Sequence, residues 1–85
     1  MKKITVYSTD ACSFCVRAKA LLDARGLDYE EINLARDPDG RAELGHRTGM
    51  LSFPQILIED ELIGGFMELV AADRSGRLRE LQSAA

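Results

Sequence analysis

Cys12-Ser13-Phe14-Cys15 holds both cysteines of the chain, separated by two residues. A thiolate attacks disulfide sulfur, and a second thiol close by can displace the mixed disulfide that results. The pair is therefore a candidate centre for thiol–disulfide exchange, a reaction that needs no organic cofactor. Metal binding and plain burial are the other uses of such a pair. Zinc takes four protein ligands, and of the usual nitrogen donors the chain adds only His46. Free cysteine packs as a small hydrophobe, but that leaves the placement of this pair between a strand and a helix without a reason.

Lys3-Ile4-Thr5-Val6-Tyr7 is β-branched and aromatic and predicts a strand. Ser8-Thr9-Asp10-Ala11 is a loop with helix-capping side chains. From Ser13 to Arg25, Phe14, Ala18, Leu21 and Leu22 recur at helical spacing, with Arg17, Lys19, Asp23 and Arg25 on the solvent side. Gly26 is a left-handed stop, and Arg25 places positive charge at the helix's negative end. Cys12 thus falls at the helix N-terminus and Cys15 in the first turn. Backbone N–H groups there favour a thiolate, so a depressed pKa is expected for Cys12, with Cys15 more buried and less ionised. Cys12 becomes the attacking thiolate and Cys15 the resolving thiol. His46, between Gly45 and Arg47, is expected to be a surface histidine rather than a base, because the helix end already accounts for activation.

Other elements must position this centre. Leu27 to Leu34 predicts a strand exposed on one side or at an edge, and Asp37-Pro38 opens a helix that Gly49 ends and Gly40 and Gly45 weaken. Phe53 to Glu59 and Leu62-Ile63 predict an antiparallel pair turning at Asp60-Glu61. After a break at Gly64-Gly65, Phe66, Leu69 and Val70 mark a helical face, and Ser75-Gly76 separates it from a last short turn carrying Leu78 and Leu81. The order β-α-β-α-β-β-α, with a right-handed crossover through the first helix, builds a four-stranded mixed sheet flanked by helices. That α/β arrangement is thioredoxin-like, and residues 1–85 are expected to form one domain.

A net charge of -3 and a pI near 5.0 give no basic footprint for nucleic acid or an anionic membrane. Lys2 and Lys3 precede only the short stretch Ile4 to Tyr7, too brief for a signal-peptide core or a spanning helix. A cytoplasmic protein is expected, in a reducing compartment where a purely structural disulfide would rarely persist.

Through Cys12-Ser13-Phe14-Cys15, Ser52-Phe53-Pro54 and Gly64-Gly65-Phe66-Met67-Glu68-Leu69 the chain resembles the glutaredoxins over nearly its whole length. The resemblance implies reduction by glutathione and activity toward glutathione mixed disulfides and protein disulfides. The implied partners are glutathione and disulfide-containing or glutathionylated proteins. It also implies a cis peptide before Pro54, with the Phe53 backbone pairing the cysteinyl part of glutathione. Gly65 would permit close approach, the Phe66 and Met67 N–H groups would hold the γ-glutamyl carboxylate, and Glu68 would meet the ammonium. A trans proline opening a strand and a solvated Glu68 at a helix start are the alternatives the residues leave open.

Where many relatives carry a Lys for the glycine carboxylate of glutathione, this chain has Thr9, which leaves Arg41 as the implied basic contact or else as a solvated helix residue. Phe14 keeps an aromatic wall without a hydroxyl, and Ser13 restores a backbone donor that the family's usual Pro removes. Some relatives with a small residue at that position share a 2Fe-2S cluster between two monomers through their first cysteines and two glutathiones. The resemblance thus implies a monomer, with a dimer only around such a cluster held by Cys12. Reduction by thioredoxin reductase is a further alternative.

Overall fold

The structure, a computed structural model, describes residues 2–83. The first strand, β1 (Ile4–Ser8), alternates strictly, burying Ile4, Val6 and Ser8. It feeds α1 (Ser13–Ala24), which crosses over so that β2 (Glu30–Asn33) pairs parallel with β1, Tyr7 opposite Ile32. After α2 (Pro38–Thr48), β3 (Gln55–Ile58) returns antiparallel to the other side of β1, and β4 (Glu61–Gly64) pairs antiparallel with β3. The sheet order is β2-β1-β3-β4, the expected four-stranded mixed sheet. Two helices follow, α3 (Phe66–Arg74) and α4 (Arg77–Ser83).

The main core joins Ile4 and Val6 of β1, Ala18 and Leu22 of α1, Ile56 and Ile58 of β3, Leu69 of α3 and Leu78 of α4. Side chains alternate across a strand, so Leu57 faces away from Ile56 and Ile58; it is buried outside that cluster, as are Leu34 and Leu44. β3 is accordingly buried along its whole length, as a central strand covered on both faces must be.

The end of α1 follows directly from Arg25-Gly26-Leu27. Gly26 takes φ 68°, its N–H donates to the Asp23 carbonyl, and the Leu27 N–H donates to the Leu22 carbonyl. Both closing bonds of a Schellman stop are therefore present. At the start of α2 the Asp37 carboxylate accepts from the Gly40 N–H at 2.9 Å, with Pro38 at the first helical position and Gly49 left-handed at the end. These boundaries are the ones the sequence predicts.

Other bounds differ: β3 opens at Gln55 rather than Phe53, and β4 runs Glu61–Gly64 rather than Leu62-Ile63. The second strand is shorter than expected because Leu27 and Tyr29 leave the ladder to pack against the core. The hairpin turns at Glu59-Asp60 rather than Asp60-Glu61, since Ile58 pairs with Glu61 and Glu59 adopts φ 53°. The segment after Gly76 is the helix α4 rather than a turn, because Leu78 is fully buried in the core and anchors it.

Charged groups fasten the outside. Arg25 grips Asp73 with two bonds of 2.7 and 2.8 Å, joining the end of α1 to α3, and Arg77 pairs with Glu61. The Ser8 hydroxyl donates to Glu31 at 2.7 Å and Lys19 pairs with the same oxygen at 2.9 Å. Glu31 is held below the usual carboxylate range first by the Ser8 bond and then by Lys19, Asp73 by Arg25, and Glu61 by Arg77. A carboxyl depressed in the folded state contributes stability above its unfolded pKa and loses it as pH falls through the folded one. The melting temperature should therefore hold steady down to about pH 5 and fall below about pH 4. Thermal melts across that range check this, and Ser8→Ala should make the fall shallower.

Candidate functional site

The first cysteine is itself the N-cap of α1. Cys12 is extended, with φ -114° and ψ 100°, and its Sγ accepts from the Cys15 N–H at 3.1 Å. A sulfur thus takes the place where a Ser or Asp oxygen usually satisfies an orphan N–H. The first turn of α1 carries no acidic residue, so nothing on that turn opposes negative charge on the sulfur. Ala11, just before, is left-handed at φ 53°, a conformation that costs a residue with a Cβ on the order of 1 kcal/mol and is kept where the surroundings require it.

Cys12 is part-exposed while Cys15 is 2% exposed, the asymmetry expected of an attacking and a resolving sulfur. The two are joined in a disulfide. Across from it the Phe53 carbonyl oxygen lies 3.7 Å from Cys12 Sγ, and the Phe53–Pro54 peptide is cis. A disulfide sulfur carries no hydrogen, so that approach is a contact rather than a hydrogen bond. The Phe14 ring stacks on Phe66 with centroids 5.8 Å apart, linking the start of α1 to the start of α3. Gly65 lies against the same loop: a Cβ there would come 3.6 Å from the Pro54 carbonyl oxygen. Three separate stretches of chain therefore meet around one disulfide.

A family model described as Glutaredoxin matches residues 4–63. The chain belongs to the glutaredoxin family. It is 40% identical over 84 residues to a glutaredoxin of Pseudomonas aeruginosa, covering 99% of this chain and 100% of that one. With Escherichia coli glutaredoxin 3 it is 36% identical over 81 residues, covering 95% and 98%. The crystal structure of a buckwheat glutaredoxin–glutathione complex superposes with a TM-score of 0.86 at 30% identity, covering 98% of this chain and 78% of that one. The solution structure of Brucella melitensis glutaredoxin gives 0.83 at 38% identity, covering 95% and 88%. The chain has the glutaredoxin form of the thioredoxin fold and, with a redox-active cysteine pair, is a thiol–disulfide oxidoreductase.

The remaining sequence-derived glutaredoxin positions are placed unevenly. Glu68 turns back to cap its own helix, Oε1 accepting from the Gly65 N–H at 2.7 Å. Gly65 has no side chain to return a bond, so only half of a capping box forms. The Phe66 and Met67 N–H groups, at the first two positions of α3, have no hydrogen-bond partner among the described residues, as helix geometry requires of them. Met67 is 66% exposed. Arg41 is drawn inward: Nη1 donates to the Leu34 and Ala35 carbonyls at 2.6 and 2.8 Å, fastening the loop between β2 and α2. It is not a freely solvated helix residue. Thr9 is part-buried beside β1, and His46 is exposed in the last turn of α2.

Among the described residues no group of three or more His, Cys, Asp or Glu side chains is placed to close a metal site. With Cys12 bonded to Cys15, a 2Fe-2S cluster would require reduction of that disulfide and ligands from outside the chain. No described helix is long and apolar enough to cross a membrane.

Arg17, expected only to face solvent, has its guanidinium carbon 5.7 Å from the Phe14 ring centroid. The three-residue spacing on one helix face was the available signal. Gly64, expected with Gly65 to mark a break and let the chain approach the ligand, has φ 126°, and a Cβ there would press on Glu68 Cγ at 2.8 Å. Gly64→Ala should cost about 1–3 kcal/mol and disturb the Glu68 cap. Denaturant unfolding of the variant checks that magnitude.

Proposed function

We propose that the chain works as a single glutaredoxin domain, a glutathione-dependent oxidoreductase that reduces glutathione mixed disulfides and protein disulfides. The observation that carries this is the Cys12 sulfur at the N-cap of α1, 3.1 Å from the Cys15 N–H, with the Phe53 carbonyl across from it. Once the disulfide is reduced, the helix end favours the Cys12 thiolate. That thiolate attacks the glutathione sulfur of a mixed disulfide. A Cys12–glutathione bond forms as the target leaves as a thiolate and takes up a proton. A second glutathione thiolate then attacks this bond, releasing glutathione disulfide and restoring Cys12. For a protein disulfide, Cys15 displaces the target instead and the pair ends oxidised.

In the bound complex the Phe53 backbone would pair with the cysteinyl unit, and Pro54 and Gly65 would leave room for the peptide beside the sulfur. The unpartnered Phe66 and Met67 N–H groups would take the γ-glutamyl carboxylate. Glu68 would meet the ammonium through the oxygen its cap leaves over, and Phe14 would wall one side. The glycine carboxylate would lie toward Thr9 and the Arg41 nitrogens not already bound to carbonyls. The buckwheat relative, superposing at a TM-score of 0.86, is described as a glutathione complex, which supports this reading. A cytoplasmic location fits it, because glutathione acts there as reductant.

Turnover of a glutathionylated peptide should be rapid with glutathione plus glutathione reductase and slow with thioredoxin reductase. Efficient reduction by thioredoxin reductase alone would overturn the glutathione assignment. Cys15→Ser should keep at least about half the activity on that peptide while losing at least about tenfold on a protein disulfide, because only the second reaction needs an internal resolving thiol. Parallel assays of both substrates check the split.

A further inference from the structure

The segment from Met50 to Phe53 presents the Phe53 backbone to the Cys12 sulfur, yet among the described residues it makes no backbone–backbone hydrogen bond of its own. Leu51 at its middle is 87% exposed, so packing holds that part of the segment weakly. Side chains hold it instead. Gln55, 1% exposed, donates from Nε2 to the Met50 carbonyl at 3.0 Å and to the Ser52 carbonyl at 3.1 Å. Its Oε1 lies 2.8 Å from the Thr48 hydroxyl oxygen, which in turn accepts from the Met50 N–H at 3.1 Å.

The amide orientation follows from its partners. Two carbonyls on one side demand the NH2 group, so Oε1 must face Thr48, and the single hydroxyl proton is shared between Gln55 and the Leu44 carbonyl at 3.0 Å. Every buried side-chain polar atom among the described residues is satisfied, so the amide is committed to this one loop geometry. Gln55 is also a rung of β3, opposite Tyr7 of β1. The loop is thereby tied through side chains to the centre of the sheet and to the end of α2.

We infer that Gln55, with Thr48, is a positioning residue for substrate: its buried amide fixes the Met50 and Ser52 carbonyls and so holds the Phe53 backbone where an incoming peptide disulfide must pair beside Cys12. This rests on the proposed glutathione reading. The nucleophile is set separately by the end of α1, so binding and thiol reactivity should separate when the amide is lost.

The test compares Gln55→Met, Thr48→Val and Thr48→Ser in the full chain. KM and kcat are measured on a glutathionylated peptide with glutathione and glutathione reductase, beside the rate at which iodoacetamide alkylates reduced Cys12. Gln55→Met and Thr48→Val should raise KM about five- to tenfold, the scale of one or two lost hydrogen bonds. Alkylation and kcat should stay within about twofold, and Thr48→Ser, which keeps the hydroxyl, should retain the wild-type KM. Should Gln55→Met fail to fold, the Thr48 pair decides alone. Unchanged KM in the folded Val or Met variants overturns the inference, as does an equal fall in alkylation, which would place the effect on the nucleophile. A wild-type chain inactive with glutathione would instead remove the proposed function, and this inference with it.

Discussion

Cys12→Ser should lower disulfide exchange by at least about a thousandfold, to the uncatalysed background, on glutathionylated peptides and protein disulfides alike. A serine at an N-cap is an excellent helix former: its oxygen accepts the same orphan N–H that Cys12 Sγ accepts from Cys15 at 3.1 Å. Stability should therefore hold or rise slightly while chemistry vanishes, because an alcohol at neutral pH supplies almost no anion to attack sulfur. That combination distinguishes a nucleophile from a structural sulfur. Loss of Cys12 also removes the disulfide, but a loop closed over three positions offers little chain entropy to begin with. Thermal melting of reduced wild type against the variant, alongside both exchange assays, checks the separation. Residual exchange above about one per cent would mean that Cys15 or another group can start the reaction.

The centre was readable because its signals are local. A β-branched strand, the cysteine pair and an amphipathic helix ending at Arg25-Gly26 place the Cys12 sulfur at a helix mouth without knowledge of any distant residue. The cis peptide at Phe53–Pro54 was not readable from spacing and entered only through the family resemblance. Arg41 illustrates the opposite limit. Its bonds to the Leu34 and Ala35 carbonyls depend on how the loop after β2 folds back, which no periodicity encodes. The same is true of Gln55, a polar residue opening an otherwise apolar strand, whose amide partners come from a loop without regular structure. α4 was missed because seven residues form no stable helix alone. Leu78 supplies the missing stability only once α1, α3 and the sheet exist to bury it.

Leu69→Ala should be the most damaging single truncation near the site. Leu69 is fully buried in α3, within a core cluster that also contains Leu22, Ile56 and Leu78. Replacing a buried leucine by alanine costs about 2–5 kcal/mol, the spread depending on how far the cavity collapses. At roughly 0.05–0.15 kcal/mol per residue, a chain of 85 residues has roughly 4–13 kcal/mol to lose. The melting temperature should therefore drop by about 10–30 °C, and Leu69→Met, which conserves volume, should cost less than about 1.5 kcal/mol. Met67→Ala, two residues earlier but 66% exposed, is the matched control and should barely shift the melt. The functional consequence follows from position: Leu69 donates its N–H to the Gly65 carbonyl at 3.0 Å, one turn behind the free N–H groups of Phe66 and Met67. Loosening that turn should raise KM for glutathionylated substrate even below the melting transition, while Cys12 alkylation, governed by α1, should remain near wild type. A melt unchanged within about 3 °C would show that the core does not depend on α3, and would leave the geometry of the proposed glutathione contacts at the start of α3 without its support.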